Sequence, residues 1–284
     1  MIREACVAGR FYENNVKLLR EIIEDSFNCK MGPGSIPKLS LVKKGESIGA
    51  IMVPHAGYMY SGPVAAHAYS KLAEAGFPET FVIIGPNHTG MGKPVSVFNE
   101  GAWMIPIGKV EVDGDLADAI ISKSKYAEAD FTAHMMEHSV EVQLPFLKFF
   151  SNDFKIVPIC MMDQSPQASK DLAQAIYDAS SQLDRKIVII DSTDLSHFKS
   201  QELTEEHDRL VFNEIEKGNT EGLYETVSRN NITMCGYGPT MVAMEYSKKV
   251  SNYDFEFLKH ATSGDTTLDY KSVVGYGSGI FKIE

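Results

Sequence analysis

The stretch Ile48-Gly49-Ala50-Ile51-Met52-Val53-Pro54-His55-Ala56-Gly57-Tyr58 carries the fold. Its first six residues make an apolar run of strand length without polar alternation, as expected for a strand buried on both faces. Proline, histidine and glycine then turn the run into a loop. The pair Gly62-Pro63 predicts the start of a helix reaching about residue 74, because proline suits the first helical position. Residues 80–84 form a second apolar run, ending in Gly85-Pro86-Asn87-His88. Residues 155–160 and 186–190 repeat the pattern, the latter leading into Asp191-Ser192-Thr193-Asp194. Between those two runs, Ser165-Pro166 opens a long helical segment. This order predicts an α/β protein: three α/β/α layers around a central mixed, largely parallel sheet.

The flanking sequence adds detail without breaking that plan. A helix is expected near residues 14–27, followed by the loop Met31-Gly32-Pro33-Gly34-Ser35-Ile36-Pro37. Residues 94–98 and 103–112, joined through Asn99-Glu100-Gly101, read as an antiparallel excursion. Residues 255–258 and 273–283 read as closing strands. No internal repeat or low-complexity tract divides the chain, so residues 1–284 are expected to form one domain.

Composition narrows the function classes. A hydrophobic share of 44% against 23% charged is that of a globular protein, which excludes general disorder. The net charge is −11, and the basic doublets Lys43-Lys44 and Lys248-Lys249 stand isolated. An acidic chain without a basic stripe gains little from counterion release, so no nucleic-acid partner is expected. No apolar run reaches bilayer length and none near Met1 resembles a secretory signal, so no membrane role is expected. Cys6, Cys29, Cys160 and Cys235 are scattered without a CxxC pair, which fits a reducing cytoplasm and free or metal-bound thiols.

Chemistry concentrates where apolar runs end. In open α/β sheets, ligands gather beyond the carboxyl ends of the strands. His55, His88 and the pair Asp194 and His197 each follow such a run by a few residues, which places three histidine-bearing loops on one edge. His138 and Glu141 lie in Glu137-His138-Ser139-Val140-Glu141, and helical spacing would turn both into the same cleft. Cys235 precedes Gly236-Tyr237-Gly238-Pro239, a turn before an expected helix, where a thiolate is favoured for metal binding or nucleophilic attack.

The strings Pro-His-Ala-Gly-Tyr (54–58), Gly-Pro-Asn-His (85–88), Glu-His-Ser-Val-Glu (137–141), Asp-Leu-Ser-His (194–197) and Cys-Gly (235–236) resemble the Memo family. Arg3-Glu4-Ala5 and Ala8-Gly9-Arg10-Phe11-Tyr12 resemble that family's opening, so the likeness spans nearly the whole chain. It implies a fold similar to the class III extradiol dioxygenases, non-haem iron enzymes that open catechol rings. It also implies His55, His88 and Cys235 as metal ligands, with His138, Asp194 and His197 lining the same pocket. One departure bears on chemistry: the dioxygenases supply a carboxylate where this chain has Cys235. Two imidazoles and a thiolate favour zinc or copper over hard cations, with iron(II) still admissible. The eukaryotic members often carry Arg-His after Cys-Gly, where this chain has Tyr237-Gly238, so no role transfers there.

Other residues read more simply. His67 suits helix packing, and His134, His207 and His260 carry no motif. Gly275, Gly277 and Gly279 recur every second residue, but no helix follows to offer its N-terminus to a phosphate. Met135-Met136 and Met161-Met162 suit core or pocket lining. Neither a Gly-x-Ser-x-Gly elbow nor an HExxH motif occurs, against a serine hydrolase or zincin. Three functions follow as expectations. The first is a metal-dependent oxidoreductase in which His138 or His197 moves protons and Asp194 orients its neighbours. The second is a zinc hydrolase with Glu141 or Asp194 as base. The third is an inactive module that recognises a peptide or small molecule in the cleft, as the resemblance to eukaryotic signalling members implies. The prokaryotic resemblance also implies a radical-SAM partner in a modification pathway.

Overall fold

The computed structural model describes residues 1–42 and 47–283, so the Lys43-Lys44 doublet lies outside the described residues. The first half of the chain supplies strands β1 (Ile2–Glu4), β2 (Ile48–Val53), β3 (Thr80–Pro86), β4 (Val95–Val97), β5 (Ala102–Ile105), β6 (Gly108–Val112) and β7 (Ala127–Ala129). The second half adds β8 (Lys155–Met161), β9 (Ile187–Ser192), β10 (His197–Lys199), β11 (Asp254–Thr262) and β12 (Val273–Lys282). The helices are α1 (Val16–Asn28), α2 (Tyr58–Ala75), α3 (Gly114–Lys123), α4 (Leu144–Phe150) and α5 (Pro166–Gln182). They continue with α6 (Gln201–Glu216), α7 (Thr220–Arg229), α8 (Tyr237–Val250) and the single turn α9 (Gly264–Thr267).

The sheet runs β1-β5-β6-β8-β3-β9-β2-β12-β10, with β11 on β12 and β4 on β8. Its centre, β6-β8-β3-β9-β2, is parallel throughout, and antiparallel pairs flank it on both sides. The strands β2, β3, β8 and β9 therefore deliver their carboxyl ends to one edge. Two apolar cores explain why these strands lack polar alternation. Ile51, Ile83, Ile156 and Ile190 face α1, α2 and α4 through Ile23, Phe27, Leu72 and Phe146. Met52, Ile84, Val157 and Ile189 face α3, α5 and α8 through Ile120, Leu172, Ile176 and Met241. Each strand thus needs apolar side chains at odd and even positions alike. The result is the expected α/β/α sandwich.

Two local expectations are corrected. Helix α2 begins at Tyr58, and Pro63 lies inside it rather than at its first position. Pro63 lacks the N–H that would reach the Met59 carbonyl, and Met59 is exposed, so water can satisfy that group. The excursion also pairs differently. Residues 103–112 fold on themselves as the β5–β6 hairpin, closing where Ile105 faces Gly108, which takes a φ of +121°. Strand β4 instead joins β7 and β8. Among the described residues no helix is long and apolar enough to cross a membrane.

Candidate metal site

His55 follows β2, His88 follows β3 and Asp194 follows β9, so the parallel centre of the sheet carries all three to one edge. Cys235 joins them from the turn before α8. Its Sγ lies 3.3 Å from His55 Nε2 and accepts from the Asp194 backbone N–H at 3.3 Å. One ligand atom from each of His55, His88 and Cys235 lies within 4.8 Å of the other two. The ring centroids of His55 and His88 are 5.2 Å apart, and His138 stacks on His88 at 4.7 Å.

Hydrogen-bond bookkeeping fixes which nitrogens are free. Ser192 Oγ gives its one proton to the Ser139 carbonyl at 2.6 Å and accepts from Gln143 Nε2 at 2.8 Å. Its remaining lone pair faces His55 Nδ1 at 3.0 Å, so that nitrogen must be the donor and Nε2 carries the lone pair. His88 Nδ1 meets Glu137 Oε1 at 2.9 Å, an acceptor when ionised, which likewise leaves His88 Nε2 open. His197 Nδ1 donates to the Thr233 carbonyl at 2.8 Å, with the same consequence. Imidazoles held through one nitrogen with the other aimed into a cleft are the arrangement that metal ligation requires.

The electrostatics agree. Burial, reinforced by the His138, His88 and His197 rings, holds His55 well below the usual imidazole range and therefore neutral. Burial brings His138 down to about 4. Burial also opposes charge on His88, but the Glu137 hydrogen bond and charge outweigh it and raise His88. Glu137 is lowered to about 2, because contacts from His88 and His138 overcome its own burial. Burial pushes the Cys235 thiol well up, and the nearby Asp194 carboxylate pushes it further. Asp194 is itself raised by burial, against the pull of His197. A cation between these groups would reverse the last two directions, because it stabilises thiolate and carboxylate together. A neutral His55, a His88 that an incoming cation would strip of its Nε2 proton, and one enclosed thiol fit a transition-metal ion. His88, Glu137 and His138 form a second conceivable grouping. There, however, Glu137 Oε1 already accepts from the His138 and Ser139 backbone N–H groups at 2.8 and 2.9 Å, which makes it an anchor.

A family model described as Memo-like protein matches residues 3–280. The chain is 51% identical over 282 residues to a MEMO1 family protein of Methanobrevibacter smithii, covering 99% of this chain and all of the relative. It is 44% identical over 276 residues to one from Methanothermobacter thermautotrophicus, covering 97% and 99% of the two chains. A third, from Sulfolobus acidocaldarius, is 45% identical over 278 residues, covering 97% and 98%. The chain belongs to the Memo family.

Within this Memo fold, His55, His88, His138, Asp194, His197 and Cys235 come together, whereas Glu141 does not. The expectation that Glu141 shares the cleft with His138 is corrected, because residues 137–140 are not helical and a 3₁₀ turn begins only at Glu141, so helical spacing does not relate the two. Glu141 is buried and bonds Arg3 Nη1, the backbone N–H groups of Cys6 and Val7, and Tyr12 Oη at 2.7 Å. It fastens the N-terminal arm. Asp194 has a structural duty besides, accepting from the His55 backbone N–H at 2.8 Å. Sequence reading missed Glu137, Ser192 and Gln143 as the groups that orient the histidines. Glu137 stood inside the quoted Glu-His-Ser-Val-Glu string and Ser192 inside Asp-Ser-Thr-Asp, so each was visible as a letter without a partner.

Proposed function

We propose that this Memo protein binds one transition-metal ion through His55 Nε2, His88 Nε2 and Cys235 Sγ and acts as a metal-dependent oxidoreductase on a small organic ligand. The observation carrying this reading is the fixed tautomer of both histidines: Ser192 and Glu137 occupy the Nδ1 sides and leave two Nε2 lone pairs beside a thiol. The imidazole–thiolate set suits copper and admits iron(II), either of which would supply one-electron exchange when bound. The chain's own residues then manage protons and position. His197, with Nδ1–H held by Thr233, accepts a proton from the ligand at Nε2. His138 is neutral and packs against Phe11 at 4.5 Å, giving the ligand an apolar-backed imidazole edge. Asp194 fixes the β2 loop and compensates charge gathered beside Cys235.

The experiment is anaerobic purification with metal analysis by mass spectrometry, alongside His55→Ala and Cys235→Ser. About one equivalent of copper or iron in the native protein, lost in both variants, is the expected result. Zinc alone would transfer the site to hydrolysis, with Asp194 as base. A native protein that takes up no transition metal on reconstitution ends the metal reading.

A further inference from the structure

The Gly275-x-Gly277-x-Gly279 run plays no part in the candidate metal site, and its surroundings show what it is for. A Cβ on Gly275 would stand 1.9 Å from Asp208 Oδ2, and one on Gly277 would stand 2.5 Å from Phe212 Cζ. Asp208 and Phe212 lie one turn apart on α6, so the absent β-carbons let that helix face press directly on β12. The close approach delivers Asp208 to His260 on β11, with Oδ2 2.7 Å from Nε2, while Oδ1 accepts from the Ser196 backbone N–H at 3.0 Å. Asp208 is buried and both its oxygens are engaged, so it fixes the ring and leaves His260 Nδ1 without a partner among the described residues.

Beside this pair, β11 is irregular. Its register against β12 shifts between Phe257 and Lys259, and bulges of this kind re-aim side chains. Phe257 meets Phe212 edge-on at 4.7 Å yet stays 41% exposed. These rings and His260 line a cavity of about 320 Å³ that also takes in Glu216 and, one turn apart on α6, Glu205 and Arg209. Glu205 and Arg209 have opposite charge and sit about 6 Å apart along the helix axis. They form no ion pair: Glu205 Oε1 accepts from Gln201 Nε2 at 2.6 Å, and Arg209 has no acidic partner among the described residues.

We propose that this cavity is a second ligand site that binds a free amino acid with an aromatic side chain. The α-carboxylate lies against Arg209, the α-ammonium between Glu205 and His260 Nδ1, and the ring against Phe212 and Phe257. Arg209 supplies a positive charge, and Glu205 one turn away and Glu216 supply negative ones, so the lining holds both signs of charge that a zwitterion needs, and charge-assisted contacts are the strong ones. A purely anionic or cationic ligand leaves one sign unanswered. The exposed edge of the aromatic pair supplies a platform for a ring.

The test is ligand-observed saturation-transfer NMR on the full chain with L-phenylalanine, phenethylamine and 3-phenylpropionate. L-phenylalanine gives saturable transfer, and each single-charge analogue binds at least about tenfold more weakly. Arg209→Gln and Phe257→Ala, both at exposed positions, weaken L-phenylalanine binding by a similar factor while native circular dichroism persists. His55→Ala binds as the native chain does, which separates this site from the metal reading. No saturable transfer at about 10 mM ligand, or equal binding by native and Arg209→Gln protein, overturns the proposal.

Discussion

Replacing Glu137 by glutamine keeps an oxygen where His88 Nδ1 needs an acceptor but removes the charge that lifts His88. The ring keeps its Nδ1 partner and becomes a poorer donor to a metal, while the amide nitrogen faces the His88 backbone N–H that Oε2 accepts at 2.6 Å and loosens that loop. Partners that orient a ligating histidine contribute about 10- to 100-fold in metal affinity, so chelator competition should show a loss of that order in Glu137→Gln. An affinity within about twofold of native would show that Glu137 is only a loop anchor. Ser192→Ala removes more. The Ser139 carbonyl loses its donor, Gln143 Nε2 loses one of two acceptors and His55 loses its tautomer lock. Affinity should fall comparably, and urea denaturation should show an added cost of about 1–3 kcal/mol from buried polar groups left unsatisfied.

The N-terminal arm belongs to the site although it carries no ligand. Arg3 is fully buried and stacks on Trp103 at 4.1 Å. It donates through Nε to the His134 carbonyl at 3.0 Å and through Nη2 to the Glu137 carbonyl at 2.7 Å, and it pairs with Glu141. Farther along, Phe11 packs on His138, and its carbonyl accepts from Tyr58 N–H where α2 begins. Arg3→Met leaves Glu141 as a buried charge without its cation, which costs about 3–5 kcal/mol by equilibrium denaturation. Because the loop bearing Glu137 and His138 loosens at the same time, metal affinity should drop in the fraction that remains folded. Unchanged affinity there would confine Arg3 to stability. These elements also mark where sequence reading stops. The strands β2, β3, β8 and β9 announce themselves as apolar runs, and the motifs at their ends point to His55, His88 and Asp194. The Arg3–Glu141 pairing spans 138 residues, and no local period encodes it. The β5–β6 hairpin was hidden because its turn, Pro106-Ile107, sits inside a continuous β-type run that reads as one strand.

At the scale of the whole molecule, one edge of the sheet holds several imidazoles in their neutral form, and that choice has a pH signature. His134 is the clearest case because it lies behind the candidate site, buried, with Nε2 3.1 Å from the Ser96 carbonyl. Burial lowers it from 6.5 to about 4. Between those values the unfolded chain binds a proton that the folded chain refuses. The stability associated with neutral His134 is therefore complete above about pH 6.5 and is lost as pH falls toward 4. One such group contributes a slope of about 1.4 kcal/mol per pH unit, or about 3 kcal/mol across the window. His55 and His138 shift in the same direction and His88 in the opposite one, so the metal-free protein should lose stability on mild acidification with His88 offsetting part of the slope. Urea midpoints of chelator-treated protein between pH 7 and 5 measure the total slope. His134→Asn keeps a donor for the Ser96 carbonyl but cannot titrate, and should flatten the slope by one group's share. Identical slopes in the two proteins would mean that His134 takes up its proton without unfolding the chain.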